Sequence, residues 1–101
     1  MVRFVRTIRV KGGRMMEAIS WAKEMAAHVQ KKYGVEKVQV YMQSFGDISS
    51  IHWTAEYADL AALEKTQLQI LADPDYFKRI VAAMPDLFVD GSVNDLVLRE
   101  V

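Results

Sequence analysis

Residues 2–10 read VRFVRTIRV, with arginine at positions 3, 6 and 9. On a helix, charges three residues apart gather near one face. On a strand, successive side chains alternate between faces. Val2, Val5, Thr7, Ile8 and Val10 are β-branched, and Lys11-Gly12-Gly13 supplies a turn, so the stretch reads as a strand. Phe4, Ile8 and Val10 then share the face that helices would cover, and Arg6 shares it with them. Arg3 and Arg9 point to the opposite face, beside Val5 and Thr7.

The remaining elements follow from this strand. Met15, Ile19, Ala22, Ala26, Val29 and Tyr33 recur at spacings of four and three within residues 14–33, which predicts a helix closed by Gly34. Residues 35–45 read as a second strand, with Val38, Val40 and Met42 on one side and Gln39, Tyr41 and Gln43 on the other. After a Gly46-Asp47 turn, residues 49–57 alternate clearly: Ile51, Trp53, Ala55 and Tyr57 against Ser50, His52, Thr54 and Glu56. Asp59 caps a helix to about Leu71. Asp73 caps another that starts at Pro74, carries Phe77, Ile80, Val81 and Met84 on its apolar stripe, and stops at Pro85. A "VDGS" turn leads to a last strand over residues 96–101. The order βαββααβ, with right-handed crossovers around a strand pair, predicts a ferredoxin-like α+β sandwich: an antiparallel sheet with helices on one face and the other face open.

The chain has 101 residues, which suits a single domain spanning 1–101. Thirteen basic residues balance thirteen acidic ones, so bulk charge points to neither a nucleic-acid nor a membrane partner. RNA-recognition domains share this topology but stack bases on aromatic residues of the open face. Here the open-face positions of the first and third strands are Arg3, Val5, Thr7, Arg9, Ser50, His52, Thr54 and Glu56. The absence of cysteine removes disulfides, thiolate chemistry and Cys-based metal sites, and fits a cytoplasmic protein. No apolar run approaches the ~20 residues of a membrane span, and the first residues lack the apolar core of a secretory signal.

The block EYADLAALEKTQLQILADPDYFKRI, residues 56–80, together with the strand pair before it, resembles the dimeric α+β barrel superfamily. Within that superfamily it is most similar to the small NIPSNAP-like and antibiotic-biosynthesis-monooxygenase-like domains. An aromatic residue ends the third strand, a Leu-rich helix follows, and an Asp-Pro break precedes a second helix. The resemblance implies a homodimer built sheet against sheet, with a ligand-sized cavity between sheet and helices in each subunit. Some cofactor-independent oxygenases of the superfamily hold an aromatic substrate with an Asn–Trp–Tyr or Asn–Trp–His set. Trp53 and Tyr57 are available here, but the single asparagine, Asn94, lies near the last strand and does not match the set.

The residues themselves nominate a site. Trp53 and Tyr57 point inward by parity and are expected to line a cavity with Phe4, Met15, Met42, Leu63 and Phe77, either as ordinary core or as walls for a flat organic molecule, aromatic or polyketide-like. Arg6 is expected either to anchor an anionic or carbonyl-bearing ligand or to pair with Glu17, Glu24 or Glu64 or snorkel out at the sheet edge. His52 is the candidate proton carrier, with Tyr41 or Arg9 as its cross-strand partner, or else an interface histidine. Arg3, Arg9, Tyr41 and Thr54 form the expected dimer interface. His28 falls off the helix stripe at a surface or rim position, and Trp21 is a partner contact or exposed. Two histidines on separate elements make no metal site, and no cofactor is expected. "KGGR", residues 11–14, reads as a flexible turn; the Gly-Lys-Ser/Thr of a phosphate loop is missing. The alternative to a ligand-binding protein is a dimeric structural or regulatory module without chemistry.

Overall fold

The computed structural model describes residues 1–101. Along the chain run β1 (Val2–Arg9), α1 (Met15–Tyr33), β2 (Val38–Met42), β3 (Ser50–Tyr57), α2 (Leu60–Leu71), α3 (Pro74–Leu87) and β4 (Asn94–Arg99). The four strands form one sheet in the order β2-β3-β1-β4, and every neighbouring pair is antiparallel. This is the ferredoxin-like α+β arrangement.

β1 is central and its alternation divides the molecule. Phe4 lies opposite Ala55 and Val97, Arg6 opposite Trp53 and Asp95, and Ile8 opposite Ile51. These positions share the helix-covered face, where Val2, Ile8, Ile51 and Ala55 are buried. Arg3 lies opposite Glu56 and Leu98, Val5 opposite Thr54 and Leu96, and Thr7 opposite His52 and Asn94; these form the open face.

α1 approaches the sheet closely because its inward positions are small. Ala18 and Ala22 are fully buried, and Met25 and Ala26 are buried beside them. The buried line 18, 21, 22, 25 is rotated slightly from the stripe expected in the sequence, and Trp21 consequently packs on the core. Gly34 ends the helix in the left-handed conformation with φ 68°, a conformation that costs glycine nothing. Asp59 Oδ1 accepts from the Ala62 N–H at 2.8 Å, and Asp73 Oδ1 from the Asp75 N–H at 3.0 Å, so both expected caps form.

Three expected boundaries move. The second strand is Val38–Met42, shorter than 35–45. Val35 is buried before the strand begins, and Phe45 is 88% exposed on the hairpin. Pro85 does not stop α3, which continues to Leu87. Only one turn remains beyond it, and the terminal carbonyls find donors in the segment after β1: the Lys11 N–H donates to Leu87 O at 2.9 Å and Lys11 Nζ to Pro85 O at 2.6 Å. That satisfaction of the helix end outweighs a missing proline N–H. The last strand is Asn94–Arg99 rather than 96–101, because its register is set by pairing Asn94 with Thr7 and Arg99 with Val2.

Truncating Ile51, which is fully buried beneath α1, removes a side chain that the core cannot replace. Ile51→Ala is expected to lower unfolding free energy by about 2–5 kcal/mol, read by urea denaturation. A second consequence concerns acid. Lys32 Nζ lies 2.8 Å from Asp73 Oδ2, and the Tyr33 hydroxyl donates to the same oxygen. The Lys32 contact first, and then Tyr33, hold the carboxyl down at about 2. Its folded value lies below the unfolded value of about 3.9, so its stabilisation is complete above about pH 4 and disappears as pH falls toward 2. Asp73→Asn, which keeps a capping oxygen, is expected to be less stable than the parent at neutral pH and to converge with it near pH 2, measured as melting temperature against pH.

Candidate functional site

Between the sheet and the helices lies a cavity of about 120 Å³. β1 contributes Phe4, Arg6 and Ile8; α1 contributes Trp21, Met25, Ala26 and Val29; β2 and β3 contribute Val38, Trp53, Thr54, Ala55 and Tyr57; α2 and α3 contribute Ile70, Tyr76, Ile80 and Met84. Fourteen of these 16 residues are hydrophobic. One end is an aromatic wall. The rings of Trp21 and Trp53 meet edge to face at 6.2 Å, and Phe88 lies 5.4 Å from Trp21 and 6.3 Å from Trp53. Such tilted contacts between ring edges and faces are the favourable ones. Trp53 is fixed further by its indole N–H, which donates to the Ala22 carbonyl oxygen at 3.1 Å.

The polar end is built on Arg6. Its Nε and Nη2 donate to the two carboxylate oxygens of Asp95, each at 2.8 Å. The guanidinium stands 5.4 Å from the centre of the Phe4 ring. The Asp95 bond, chiefly, raises the Arg6 pKa further, so the cation is permanent. Burial pushes the phenols of Tyr76 and Tyr57 up; Arg6 partly opposes the shift at Tyr76 and Thr66 does so at Tyr57. Both phenols are therefore neutral at physiological pH.

The structure brings Phe4, Arg6, Trp53 and Tyr57 together around one space, as the parity of the strands predicts. It does not bring Met42 there. Met42 has the right parity, opposite Ile51, but it ends β2 beyond the helical cover and is 55% exposed. Met15, Leu63 and Phe77 are likewise outside the lining. The partner of Arg6 is Asp95 on β4, not Glu17, Glu24 or Glu64 on the helices. Trp21, expected at a partner contact or in solvent, is part of the aromatic wall. His28 is more enclosed than a surface residue: its side chain is 14% exposed, and Nε2 lies 3.8 Å from Asp75 Oδ2.

His52 sits on the other side of the sheet from the cavity. Its partners are Thr7 and Gln43, not Tyr41 or Arg9. Gln43 Nε2 donates to the Phe45 carbonyl at 2.7 Å, so its Oε1 faces His52 Nε2 at 2.9 Å and accepts from it. His52 Nδ1 is then the acceptor for the Thr7 hydroxyl at 2.7 Å. The chain of donors specifies the tautomer with the proton on Nε2. Gly46 protects this arrangement: its φ is +79°, and a Cβ there would stand 2.8 Å from Gln43 Nε2. Around His52, Arg3 pairs with Glu56 and Arg9 with Asp47, which leaves each of the three opening arginines matched to one carboxylate. No cluster of three or more His, Cys, Asp or Glu side chains is placed to hold a metal.

The NIPSNAP family model matches residues 4–99. The chain belongs to the NIPSNAP family. No curated protein matches it. Solved structures share its fold. A NIPSNAP family protein from Agrobacterium tumefaciens is 17% identical at a TM-score of 0.79, over 99% of this chain and 85% of that one. An uncharacterized NIPSNAP domain protein from Burkholderia xenovorans is 16% identical at a TM-score of 0.80, over 100% and 95%. An antibiotic biosynthesis monooxygenase-like protein from Deinococcus radiodurans is 14% identical at a TM-score of 0.70, over 100% and 93%. This NIPSNAP chain therefore has the layout that its residues 56–80 suggested.

Asp95 and Trp21 are the site residues of this NIPSNAP domain that sequence reasoning missed. Trp21 was legible as i+3 from Ala18 and i−4 from Met25; Asp95 required the β1–β4 register. The hydrogen-bond chain at His52 is directly observable. Nitrogen-detected NMR of the neutral ring is expected to show the Nε2–H tautomer, and Thr7→Val is expected to increase the Nδ1–H form by removing the donor that Nδ1 accepts.

Proposed function

We propose that this NIPSNAP chain is a cytoplasmic homodimer that binds a small aromatic molecule in the cavity between sheet and helices. The observation that carries this reading is the cavity itself: an apolar space closed at one end by the Trp21–Trp53–Phe88 wall and edged at the other by a single polar group. Size supports one ring. A cavity of about 150 Å³ accommodates benzene, whereas drug-sized ligands occupy about 300–1,000 Å³. At about 120 Å³, a single ring suits this space better than a polyketide-like skeleton. The lining offers no side chain that titrates near neutral pH, since His52 faces away, and this favours binding over acid–base chemistry within one subunit.

Exposed surface supports the dimer. A folded monomer of this mass exposes about 5,800 Å², but this chain exposes 6728 Å². The excess of about 900 Å² is comparable to the ~800 Å² that each partner buries in a standard interface. Tyr41, Leu96 and Leu98 are exposed on the open face, with Phe45 and Ile48 on the hairpin beside it. The paired Arg3–Glu56 and Arg9–Asp47 and the satisfied His52 suit a polar sheet-to-sheet contact, with Thr54 and Tyr41 between them.

Titration calorimetry with benzyl alcohol is expected to show saturable binding by the parent, and Ile80→Phe, which fills the cavity, is expected to abolish it while the protein remains folded. Binding unaffected by Ile80→Phe would remove the site; no binding by the parent would favour the structural module. Light scattering at micromolar concentration is expected to report a dimer, and Leu96→Glu to shift it toward monomer; a monomeric parent contradicts the dimer.

A further inference from the structure

The polar groups around the cavity can be counted by what remains free. The Trp53 indole N–H is taken by the Ala22 carbonyl. The Tyr57 phenol is turned toward Thr66. Arg6 Nε and Nη2 are both engaged by Asp95, while its other terminal nitrogen, Nη1, makes no hydrogen bond within the chain. Tyr76 stands beside the guanidinium. A molecule in the cavity therefore meets a hydrocarbon and aromatic surface, a phenol, and an arginine that still has N–H donors but whose charge is already matched.

That match is geometric and specific. Asp95 lies directly opposite Arg6 across the β1–β4 ladder and presents both oxygens to the fork, the bidentate arrangement that carboxylates and guanidinium favour. A ligand carboxylate would compete for the same donors and would bring a second negative charge to the edge of a space where Asp95 already supplies one. A ligand carbonyl oxygen needs only a free N–H and brings no charge into an apolar cavity, where an unmatched charge is strongly disfavoured.

Resting on the cavity reading above, we infer that Asp95 is the specificity-determining residue of this site, restricting it to neutral single-ring aromatic molecules that carry a hydrogen-bond acceptor and rejecting their carboxylate counterparts. Arg6 is thus a hydrogen-bond donor to a neutral group and not an anion anchor. Asp95 is positioned for this task rather than for core stability: it sits on an edge strand, its side chain is 39% exposed, and that of Arg6 is 36% exposed.

The test compares acetophenone with benzoate, two one-ring molecules of similar size that differ in charge, by titration calorimetry at neutral pH on the parent and on Asp95→Asn. The parent is expected to bind acetophenone at least about tenfold more tightly than benzoate. Asp95→Asn is expected to narrow that gap by about tenfold through stronger benzoate binding, with acetophenone affinity changed by no more than about twofold and a melting temperature close to that of the parent. Equal affinity of the parent for the two ligands overturns the inference and leaves the cavity reading intact, as does a gap that Asp95→Asn does not narrow. Failure of the parent to bind either ligand overturns the cavity reading and this inference with it. Because the parent comparison alone is decisive, the inference does not depend on the variant folding.

Discussion

The alternation of side chains along β1 is the constraint from which the rest of the molecule follows. As the second strand in from one sheet edge, β1 pairs on both sides, so its register is fixed twice. One residue of slip would exchange Phe4, Arg6 and Ile8 for Arg3, Val5, Thr7 and Arg9 under the helices. Each arginine has a carboxylate that matches its face: Glu56 and Asp47 on the open side, Asp95 on the covered side. Individually, exposed pairs of this kind contribute little stability. Together they oppose the slipped register, because a slip would leave arginines buried and separated from their partners.

The second determinant is a contrast in side-chain size on α1. Ala18 and Ala22 bring one part of the helix against Ile8 and Ile51, while Trp21 holds the neighbouring region away from the sheet and leaves the space that Trp53 and Phe88 wall. A void of this volume costs about 3 kcal/mol at roughly 24 cal/mol per Å³, a large fraction of the 5–15 kcal/mol typical of a domain. A chain this small retains such a space more readily if something occupies it. The same reasoning explains why the void is edged by a satisfied ion pair: a lone Arg6 beneath the helices would add a desolvated charge to that cost.

Much of this organisation is readable in the sequence. The order of elements, both aspartate caps, the Gly34 terminus and the face of each β1 and β3 residue follow from local rules, and they place Phe4, Arg6, Trp53 and Tyr57 around one space. What was not readable depends on contacts distant in the chain. Asp95 meets Arg6 only because β4 pairs with β1 in one register, and nothing within residues 94–99 specifies it. Met42 obeys its parity yet lies outside the cavity, because parity sets the face of a residue and not the extent of the helix above it. Pro85 stays within α3 because Lys11, far away in sequence, completes the helix end. His52 was assigned to the correct face, but Thr7 and Gln43 hold it there through a hairpin geometry that depends on Gly46.

The central claim is that β1 separates a ligand face from a self-association face. Methyl-resolved NMR during titration with a one-ring aromatic ligand tests it most directly. The account predicts chemical-shift changes confined to Ile8, Met25, Ile80 and Met84, with Val5, Leu96 and Leu98 unmoved. Shifts concentrated on Val5, Leu96 and Leu98, with the helix-side methyls silent, would contradict it.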